Sequence, residues 1–155
     1  MEAQDSGGVY SNVNVAKVTL IKVPDKPGMA ADIFGALGAR NVNVELVVNT
    51  SVEPGLADVA FVVSESTVPV VEDVMSQLVE ILKGEGLKID HEVAMISIRS
   101  ADAGPKVTPN LLFTALAKEG INIEMISSSL WGITCVIRQD RLKDAMAAVK
   151  RLQEE

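Results

Sequence analysis

Cysteine and histidine, which commonly carry catalytic or metal chemistry, are nearly absent from this 155-residue chain. It has one cysteine, Cys135, and one histidine, His91, which together cannot form an internal disulfide or a four-ligand zinc site. No cysteine–histidine or serine–histidine–acid spacing indicates nucleophilic catalysis. Neither the G-x-x-x-x-G-K-[ST] nor the G-x-G-x-x-G phosphate-binding pattern occurs. We therefore predict a non-catalytic chain without a metal or a cofactor.

Long hydrophobic runs and clusters of basic residues are missing as well. No segment approaches the roughly 18 consecutive apolar residues of a membrane span, and the N-terminal residues lack the basic-then-apolar layout of a signal peptide. The net charge is −7 and the basic residues are scattered, which argues against a nucleic-acid partner. Because the chain is 48% hydrophobic but only 3% aromatic, we predict an aliphatic core. The lack of a membrane span and of a signal peptide, together with the single cysteine, predicts a cytoplasmic protein with no membrane partner.

What the sequence does contain is an internal repeat. The segment "FGALGARNVNVELVV" begins at Phe34 and matches "FTALAKEGINIEMIS", which begins at Phe113, with equivalent residues 79 positions apart. The strands before the two helices, residues 18–20 and 96–98, are offset by 78. The second strand-to-helix loop is therefore one residue longer. Repetition at a fixed spacing predicts two modules of one fold.

In the first copy, the hydrophobic period changes between that of a strand and that of a helix. Pro27 and Pro69 stand where proline favours the first turn of a helix. The predicted order is β-α-β-β-α-β, the split βαβ or ferredoxin-like pattern, with antiparallel sheets and helices on one face. The predicted strands are residues 18–22, 42–48, 56–63 and 87–93, and the two helices follow Pro27 and Pro69.

The second copy ends one strand short of this pattern. Its predicted strands are residues 95–99, 121–127 and 132–138, and its predicted helices are residues 108–119 and 141–152. The segment Gly8–Val15 alternates like a strand but has no place in the first copy. A sheet that lacks a strand exposes apolar surface and an edge, so we predict that residues 8–15 complete the second module. The alternative is that these residues form a flexible N-terminal tail. The predicted fold is α+β, with a first module (16–92) inserted in a second (93–155 with 8–15).

The loop Pro24–Ala30, which joins the first strand to its helix, has two interpretations. As a turn, Pro27 fixes φ, Gly28 permits tight geometry and Asp25 caps the helix. As a binding site, the free N–H groups of Gly28, Met29 and Ala30 attract a carboxylate to the helix N-terminus. A small amino acid has such a carboxylate, and Asn49 offers an oxygen to its ammonium group. Both interpretations stay open from the residues alone.

The duplicated modules, with "DKPG" before the first helix and "NVNVELVV" and "INIEMISSS" after the two helices, resemble the paired ACT domains at the C-terminus of aspartokinases. The resemblance extends from about Lys17 to Leu152. It implies interleaved ACT modules, as the count of strands predicts. The length of the chain and its start at Met1 resemble the separate regulatory subunit of some aspartokinases, which has no kinase domain.

The resemblance implies a non-catalytic regulatory module for allosteric feedback inhibition by threonine, lysine or both in aspartate-family amino-acid biosynthesis. It also implies a homodimer through ACT–ACT contacts and a catalytic kinase chain as partner. Effectors of the family bind where the first unit of one chain meets the second unit of another. The implied effector-binding residues are Asp25, Lys26, Pro27, Gly28, Met29, Ala30, Val42 and Asn49 in the first unit, and Asn122 and Ile123 in the second.

The sequence departs from the family at three places. Asn49 is one methylene shorter than the usual glutamine, the loop Asp102–Pro109 replaces a histidine-proline-glycine-valine loop, and Leu130 replaces an acidic residue. We therefore expect a single effector site, in the first module. The departures also favour an alternative function, that of a stand-alone ACT-type sensor for a different small molecule that controls another enzyme or regulator.

Overall fold

The structure, a computed structural model, describes residues 3–5, 8–99 and 107–154. These residues form two compact units. The first module is Val15–His91, and the second module combines the described residues up to Asn14 with those from Glu92 onward. The elements are β1 (Ala3–Asp5), β2 (Val9–Asn12), β3 (Val15–Pro24), α1 (Met29–Ala39), β4 (Leu46–Glu53), β5 (Leu56–Ser64), α2 (Val68–Ile81), β6 (Gly86–Asp90), β7 (Val93–Arg99), α3 (Pro109–Lys118), β8 (Met125–Ser129), β9 (Gly132–Arg138) and α4 (Leu142–Glu154).

The first module is a four-stranded antiparallel sheet in the order β4-β5-β3-β6. Alternate residues of β3 and β5 pack against α1 and α2, which lie on the same face of the sheet. The rings of Phe34 and Phe61 meet edge to face at 5.6 Å between centroids, and aliphatic side chains supply the rest of this core, as the low aromatic content predicts. The fully buried members include Leu20, Ile33, Leu37, Phe61 and Met75.

The second module has the strand order β1-β2-β7-β9-β8, again antiparallel throughout. Strand β2 lies beside β7, with Val9 opposite Ile98, so the N-terminal segment completes the ferredoxin-like sheet of the second module. Strand β1 extends that sheet by one strand. The predicted fold class is confirmed: two ferredoxin-like modules, with the first inserted between β2 and β7 of the second.

The repeat is visible in the way both first helices end. Asn41 after α1 and Gly120 after α3 have left-handed backbone conformations, with φ of 59° and 68°. The next N–H then donates back to the helix in both modules, from Val42 to the Leu37 carbonyl and from Ile121 to the Leu116 carbonyl. A left-handed residue that closes such bonds is a common helix stop. Equivalent positions therefore perform the same structural task.

Two predicted strand ranges are wrong at their N-terminal ends. Residues 42–45 and 121–124 precede strands β4 and β8 instead of forming their starts. The left-handed stop directs the next residue straight into the core, where Val42 is 7% exposed and Ile121 is 5% exposed. Alternating apolar residues here reflect burial beneath a helix end, which the period of two cannot distinguish from a strand.

The predicted strand Gly8–Val15 is also divided differently. Strand β2 ends at Asn12, whose side-chain carbonyl accepts the N–H of Asn14 in a local turn. Val15 already belongs to β3 of the first module, so the strand-like alternation runs across the junction between two sheets. An asparagine that bonds the backbone two residues further on is a frequent turn former, and it explains why the strand ends at Asn12 although the alternation continues.

None of the described helices is long and apolar enough to cross a membrane. Within residues 3–5, 8–99 and 107–154, no three or more histidine, cysteine, aspartate or glutamate side chains are grouped so that they could hold a metal ion.

Candidate functional site

The loop between β3 and α1 is held in place by backbone hydrogen bonds. The N–H of Asp25 donates to the Gly55 carbonyl at 2.9 Å, which ties the loop to the β4–β5 turn, and the N–H of Met29 donates to the Lys26 carbonyl at 3.2 Å. Gly28 has φ of 92°, a left-handed conformation that costs glycine little but other residues much more. The loop therefore has a defined geometry that depends on Gly28.

The N-terminus of α1 has no side-chain cap. Gly28 occupies the N-cap position, so the prediction that Asp25 caps the helix is wrong. The expectation of a free N–H at Met29 is also wrong, since that group bonds Lys26. Among the described residues, the N–H groups of Gly28, Ala30 and Ala31 have no acceptor. Oriented free donors at the positive end of a helix dipole suit a carboxylate.

A β-bulge immediately before the loop was not predicted. The pairing of β3 with β5 shifts register between Leu20 and Val23, and Lys22 within it has φ of 50°. The Lys22 N–H donates to the Asp58 carboxylate at 2.9 Å. Its ammonium group lies 3.0 Å from Glu53 and 3.2 Å from Glu85, and its hydrogen bonds to these carboxylates raise the pKa of Lys22. Bulges redirect a strand, and this one starts the turn into the loop.

The strand pairing places Asn49 on the face of the sheet that α1 covers. Asn49 on β4 is opposite Val59, which is opposite Leu20 of β3, and the latter two belong to the core beneath the helices. The Asn49 side chain is exposed. An amide on the edge strand and the free donors of α1 therefore lie on the same side of the first module.

The other predicted binding residues divide into exposed and buried groups. Met29 and Val42 are core residues, 3% and 7% exposed, so their side chains are occupied and they offer only backbone atoms. In the second module, Asn122 is exposed and Ile123 is half-buried, and both precede β8. The exposed residues of the loop itself are Asp25, Lys26, Pro27, Gly28 and Ala30.

The equivalent helix end in the second module differs. The hydroxyl oxygen of Thr108 accepts the N–H of Leu111 at 3.3 Å, which caps α3. Residues 102–106 of the predicted loop Asp102–Pro109 lie outside the described residues. Leu130 is 92% exposed in the β8–β9 turn and has no polar group to offer an amine. The described part of this module therefore lacks the open helix end seen at α1.

The other titratable residues that could suggest a catalytic site are Cys135, His91, Glu45 and Glu124. Cys135 is buried on β9, and burial raises the pKa of its thiol to about 12. His91 contacts the carboxylate of Glu65 at the surface. Glu45 and Glu124 occupy equivalent positions of the repeat, 79 residues apart. Glu124 forms an ion pair with Arg138 at 3.4 Å, whereas the Glu45 side chain is exposed. None of these groups forms a catalytic arrangement.

The two modules each match a model of the same domain family. Residues 17–83 and 109–153 both match models described as the ACT domain. The chain belongs to the ACT domain family. Both ACT modules resemble the aspartokinase regulatory region, and together they account for the described chain, which contains no kinase catalytic domain.

The curated relatives that this chain matches include several aspartokinases. The chain is 32% identical over 158 residues to an aspartokinase of Corynebacterium efficiens and 32% identical over 155 residues to an aspartokinase of Helicobacter pylori. These matches cover 99% and 98% of this chain but only 37% and 36% of the two relatives. The chain thus spans little more than a third of the length of the curated relatives it matches.

Two solved structures match over nearly their full length. A chain from a crystal structure of aspartokinase alpha and beta subunits superposes with a TM-score of 0.86 at 25% identity, covering 97% of this chain and 100% of that chain. The ligand-free regulatory subunit of aspartate kinase from Thermus thermophilus gives a TM-score of 0.85 at 29% identity, covering 96% and 99%. The tandem ACT architecture is therefore that of known aspartate kinase regulatory subunits.

Proposed function

We propose that this chain is an amino-acid-binding regulatory module of a cytoplasmic aspartate kinase, through which threonine, lysine or both exert feedback inhibition. The observation that carries the proposal is the open first turn of α1, with unpartnered N–H groups at Gly28, Ala30 and Ala31 among the described residues. The similarity of both ACT modules to regulatory subunits of aspartate kinase supports it.

In this proposal, the α-carboxylate of the effector accepts hydrogen bonds from the free donors of α1 and benefits from the helix dipole. The carboxylate of Asp25 and the amide oxygen of Asn49 are the candidate partners for its ammonium group. Lys26, Pro27, Met29, Ala30 and Val42 shape the site, and Met29 and Val42 do so through backbone atoms because their side chains are in the core.

The regulatory mechanism that we propose is a shift between populations of a homodimer. Asn122 and Ile123 of a second chain complete the effector site, so that a bound amino acid favours the dimer arrangement that brings the two chains together there. A catalytic kinase chain that binds one arrangement preferentially then responds to the effector. A ligand shifts such an equilibrium only by its difference in affinity for the two states.

Titration calorimetry with L-threonine and with L-lysine tests the proposal, with sedimentation of the free and saturated chain as a second measurement. We expect saturable heat with at least one of the two amino acids, and a larger fraction of dimer when it is bound. The absence of heat and of thermal stabilisation with both amino acids, at millimolar concentration, would rule out these effectors.

Matched variants locate the site. Asn49→Ala removes a predicted ligand contact, whereas Ser128→Ala changes the residue 79 positions later, in the second module. Because a hydrogen bond to a charged group contributes about 1.5–3 kcal/mol, Asn49→Ala should weaken binding about tenfold or more. Ser128→Ala should leave the affinity unchanged. Equal losses in both variants would place the site elsewhere.

A stand-alone ACT-type sensor is the second candidate function. It is favoured by Leu130, 92% exposed at the position where the aspartokinase pattern has an acidic residue, and by the shorter side chain at Asn49. Thermal-shift measurements with a panel of amino acids distinguish the two functions. Stabilisation by an amino acid other than threonine and lysine, lost in Asn49→Ala, would support the sensor and contradict the feedback effectors.

A further inference from the structure

The face of the second module's sheet that lies opposite its helices carries two rows that are rich in polar side chains. Strand pairing aligns Tyr10, Ser97, Thr134 and Ser127 across β2, β7, β9 and β8. The neighbouring row, two residues further along, is Arg99, Gly132 and Ser129. Residues on the opposite face of the same strands, such as Ile96 and Cys135, form the core with the helices.

The two rows enclose a groove of about 240 Å³, which we call the donor groove and define by Ser97, Arg99, Ser127, Ser129, Trp131, Gly132 and Thr134. Gly132 is paired with both Arg99 and Ser129 and lines the groove. A Cβ at this position would lie 2.2 Å from the carbonyl oxygen of Ile98, so a side chain at position 132 would require movement of the backbone. The indole of Trp131, 84% exposed, stands at the side of the groove.

Hydrogen-bond donors in this groove outnumber their partners. Within the described residues, Arg99 makes one hydrogen bond, from a guanidinium N–H to the Tyr10 hydroxyl at 3.3 Å, and stacks on that ring at 4.3 Å. Its other N–H groups have no acceptor among the described residues, and none of the described carboxylates lies within ion-pair distance of it. A guanidinium has five N–H donors and no acceptor, so most of its bonding capacity is available.

The hydroxyl groups add further donors. The oxygens of Ser97 and Thr134 lie 3.2 Å apart and share a single hydrogen bond, which leaves one of their two protons unused. Ser129 accepts the Trp131 backbone N–H at 3.1 Å, so its own proton can be donated elsewhere. Ser127 has no hydrogen-bond partner in the described part of the chain.

None of the described residues that line the donor groove is acidic, although the chain has a net charge of −7. The cleft between α3 and α4 contains Glu119, paired with Arg151 at 2.7 Å, and the cleft at the start of β7 contains Glu92, paired with Arg138 at 3.3 Å. In both clefts the arginine is neutralised by the protein. Arg99 alone of these three arginines has no carboxylate partner among the described residues.

The fold itself does not require these residues, as the first module shows. The strand positions that correspond to Ser97, Thr134 and Ser127 are Thr19, Ala60 and Val48, and the position that corresponds to Gly132 is Asp58. The same scaffold is therefore stable with apolar side chains and a carboxylate there. The donor-rich composition of the described lining residues therefore occurs in the second module and not at the equivalent positions of the first, and it requires a separate explanation.

We propose that the donor groove binds a small anion, a molecule with a carboxylate or phosphate group. The guanidinium of Arg99 faces the anionic group, the hydroxyls of Ser127 and Ser129 donate to it, and Trp131 covers its non-polar part. Arginine on an aromatic ring is held in one orientation, which suits it for planar recognition of carboxylate or phosphate. This site is independent of the proposed effector site at α1.

Trp131 is the only tryptophan of the chain, so its fluorescence reports on this groove directly. We would titrate the full chain with inorganic phosphate and with succinate at constant ionic strength. Arg99→Gln removes the cation, and Arg151→Gln is the matched control, because it makes the same change in charge at an exposed ion pair on α4. A saturable response to phosphate alone, to succinate alone or to both identifies the class of anion.

We expect Arg99→Gln to weaken the response about tenfold or more, since it removes a charge-assisted hydrogen bond, and Arg151→Gln to leave it unchanged. If Arg99→Gln does not fold, as judged by circular dichroism, the double variant Ser127→Ala, Ser129→Ala carries the same expectation. No saturable response to either anion, or a response that survives the loss of these donors, would overturn the proposal.

Discussion

The two modules of this chain have the same fold but end their first strand-to-helix connection differently. In the first module, Gly28 with φ of 92° leaves the N-terminus of α1 without a side-chain cap. In the second, Thr108 caps α3 through its hydroxyl oxygen. A helix end that is capped by its own side chain has less need of an external acceptor. The comparison teaches that duplication has kept the scaffold, whereas of the two first helices only α3 has a side-chain cap at its N-terminus.

The largest expected effect tests how the second module depends on the N-terminal segment. Val9 on β2 is 2% exposed in the second core, whereas Val13, four residues on, is 41% exposed. Burying an unpaired charge costs several kcal/mol or more, so Val9→Asp should unfold the second module and leave the first folded. Hydrogen exchange should show rapid exchange in β7, β8 and β9 and retained protection in β3 and β5.

Val13→Asp is the control for this prediction, and it should leave both modules protected. Deletion of residues 1–12 should have the same effect as Val9→Asp, because it removes the strand that covers the edge of β7. Unchanged protection of β7 in the deletion variant would show that the N-terminal strand is dispensable, against our account of the fold.

The second prediction concerns whether the hydrophobic cores of the two modules are equally well packed. Leu37 and Leu116 occupy equivalent positions 79 residues apart, and both are fully buried. Replacing a buried leucine by alanine costs about 2–5 kcal/mol, so Leu37→Ala and Leu116→Ala should each destabilise their own module by that amount. Denaturant unfolding measures both. A loss near zero for either variant would mean that its module is loosely packed.

The third prediction concerns the capped helix end. Loss of a threonine N-cap costs about 0.5–2 kcal/mol, so Thr108→Ala should lower the unfolding free energy by that amount. Thr114→Ala makes the same chemical change in the exposed interior of α3, where alanine is the better helix former, and should not destabilise. A Thr108→Ala variant as stable as the unaltered chain would show that α3 needs no cap.

The smallest expected effect is a dependence on alkaline pH at the bulge of the first module. The carboxylates of Glu53 and Glu85 raise the pKa of Lys22 above its ordinary value of 10.5. The stabilisation from this pairing is therefore fully present below that value and is lost as the pH rises through the folded-state pKa. Its magnitude is small, because all three side chains are exposed and salt screens them.

Lys22→Gln provides the comparison, because it cannot titrate. The difference in unfolding free energy between the unaltered chain and Lys22→Gln should be constant from neutral pH to about pH 10 and should shrink above it. Urea unfolding over this range measures the difference. A difference that instead grows with pH would contradict the assigned pairing.

The order of elements could be predicted from the sequence because the repeat and the hydrophobic period are strong signals. The strand missing from the second copy could be found by counting. The start of β4 could not, since Val42 is apolar for a different reason, burial beneath the end of α1. The bulge at Lys22 has no local signal either: it depends on Asp58 and Glu85, which are 36 and 63 residues away along the chain.

The candidate site shows the same division. The loop, Gly28 and the exposed Asn49 could be predicted from residue types and spacing. The identity of the N-cap residue of α1 could not be predicted, because Asp25 and Gly28 are both common N-cap residues. Only the path of the backbone decides which of the two occupies that position. The donor groove depends on strand register, which aligns Arg99 with Gly132 and Ser129, and no pattern within any one of these strands indicates it.

The pairing of Val9 with Ile98 also has a consequence for the order of folding. The first module is one continuous segment, Val15–His91, and can fold as soon as that segment has left the ribosome. The second module must wait for β7 and β9, while its N-terminal strand, already synthesised, remains unpaired. Domains fold as units during synthesis, and contacts distant in sequence form slowly. We therefore expect the first module to fold before the second, whose sheet closes only when β2 pairs with β7.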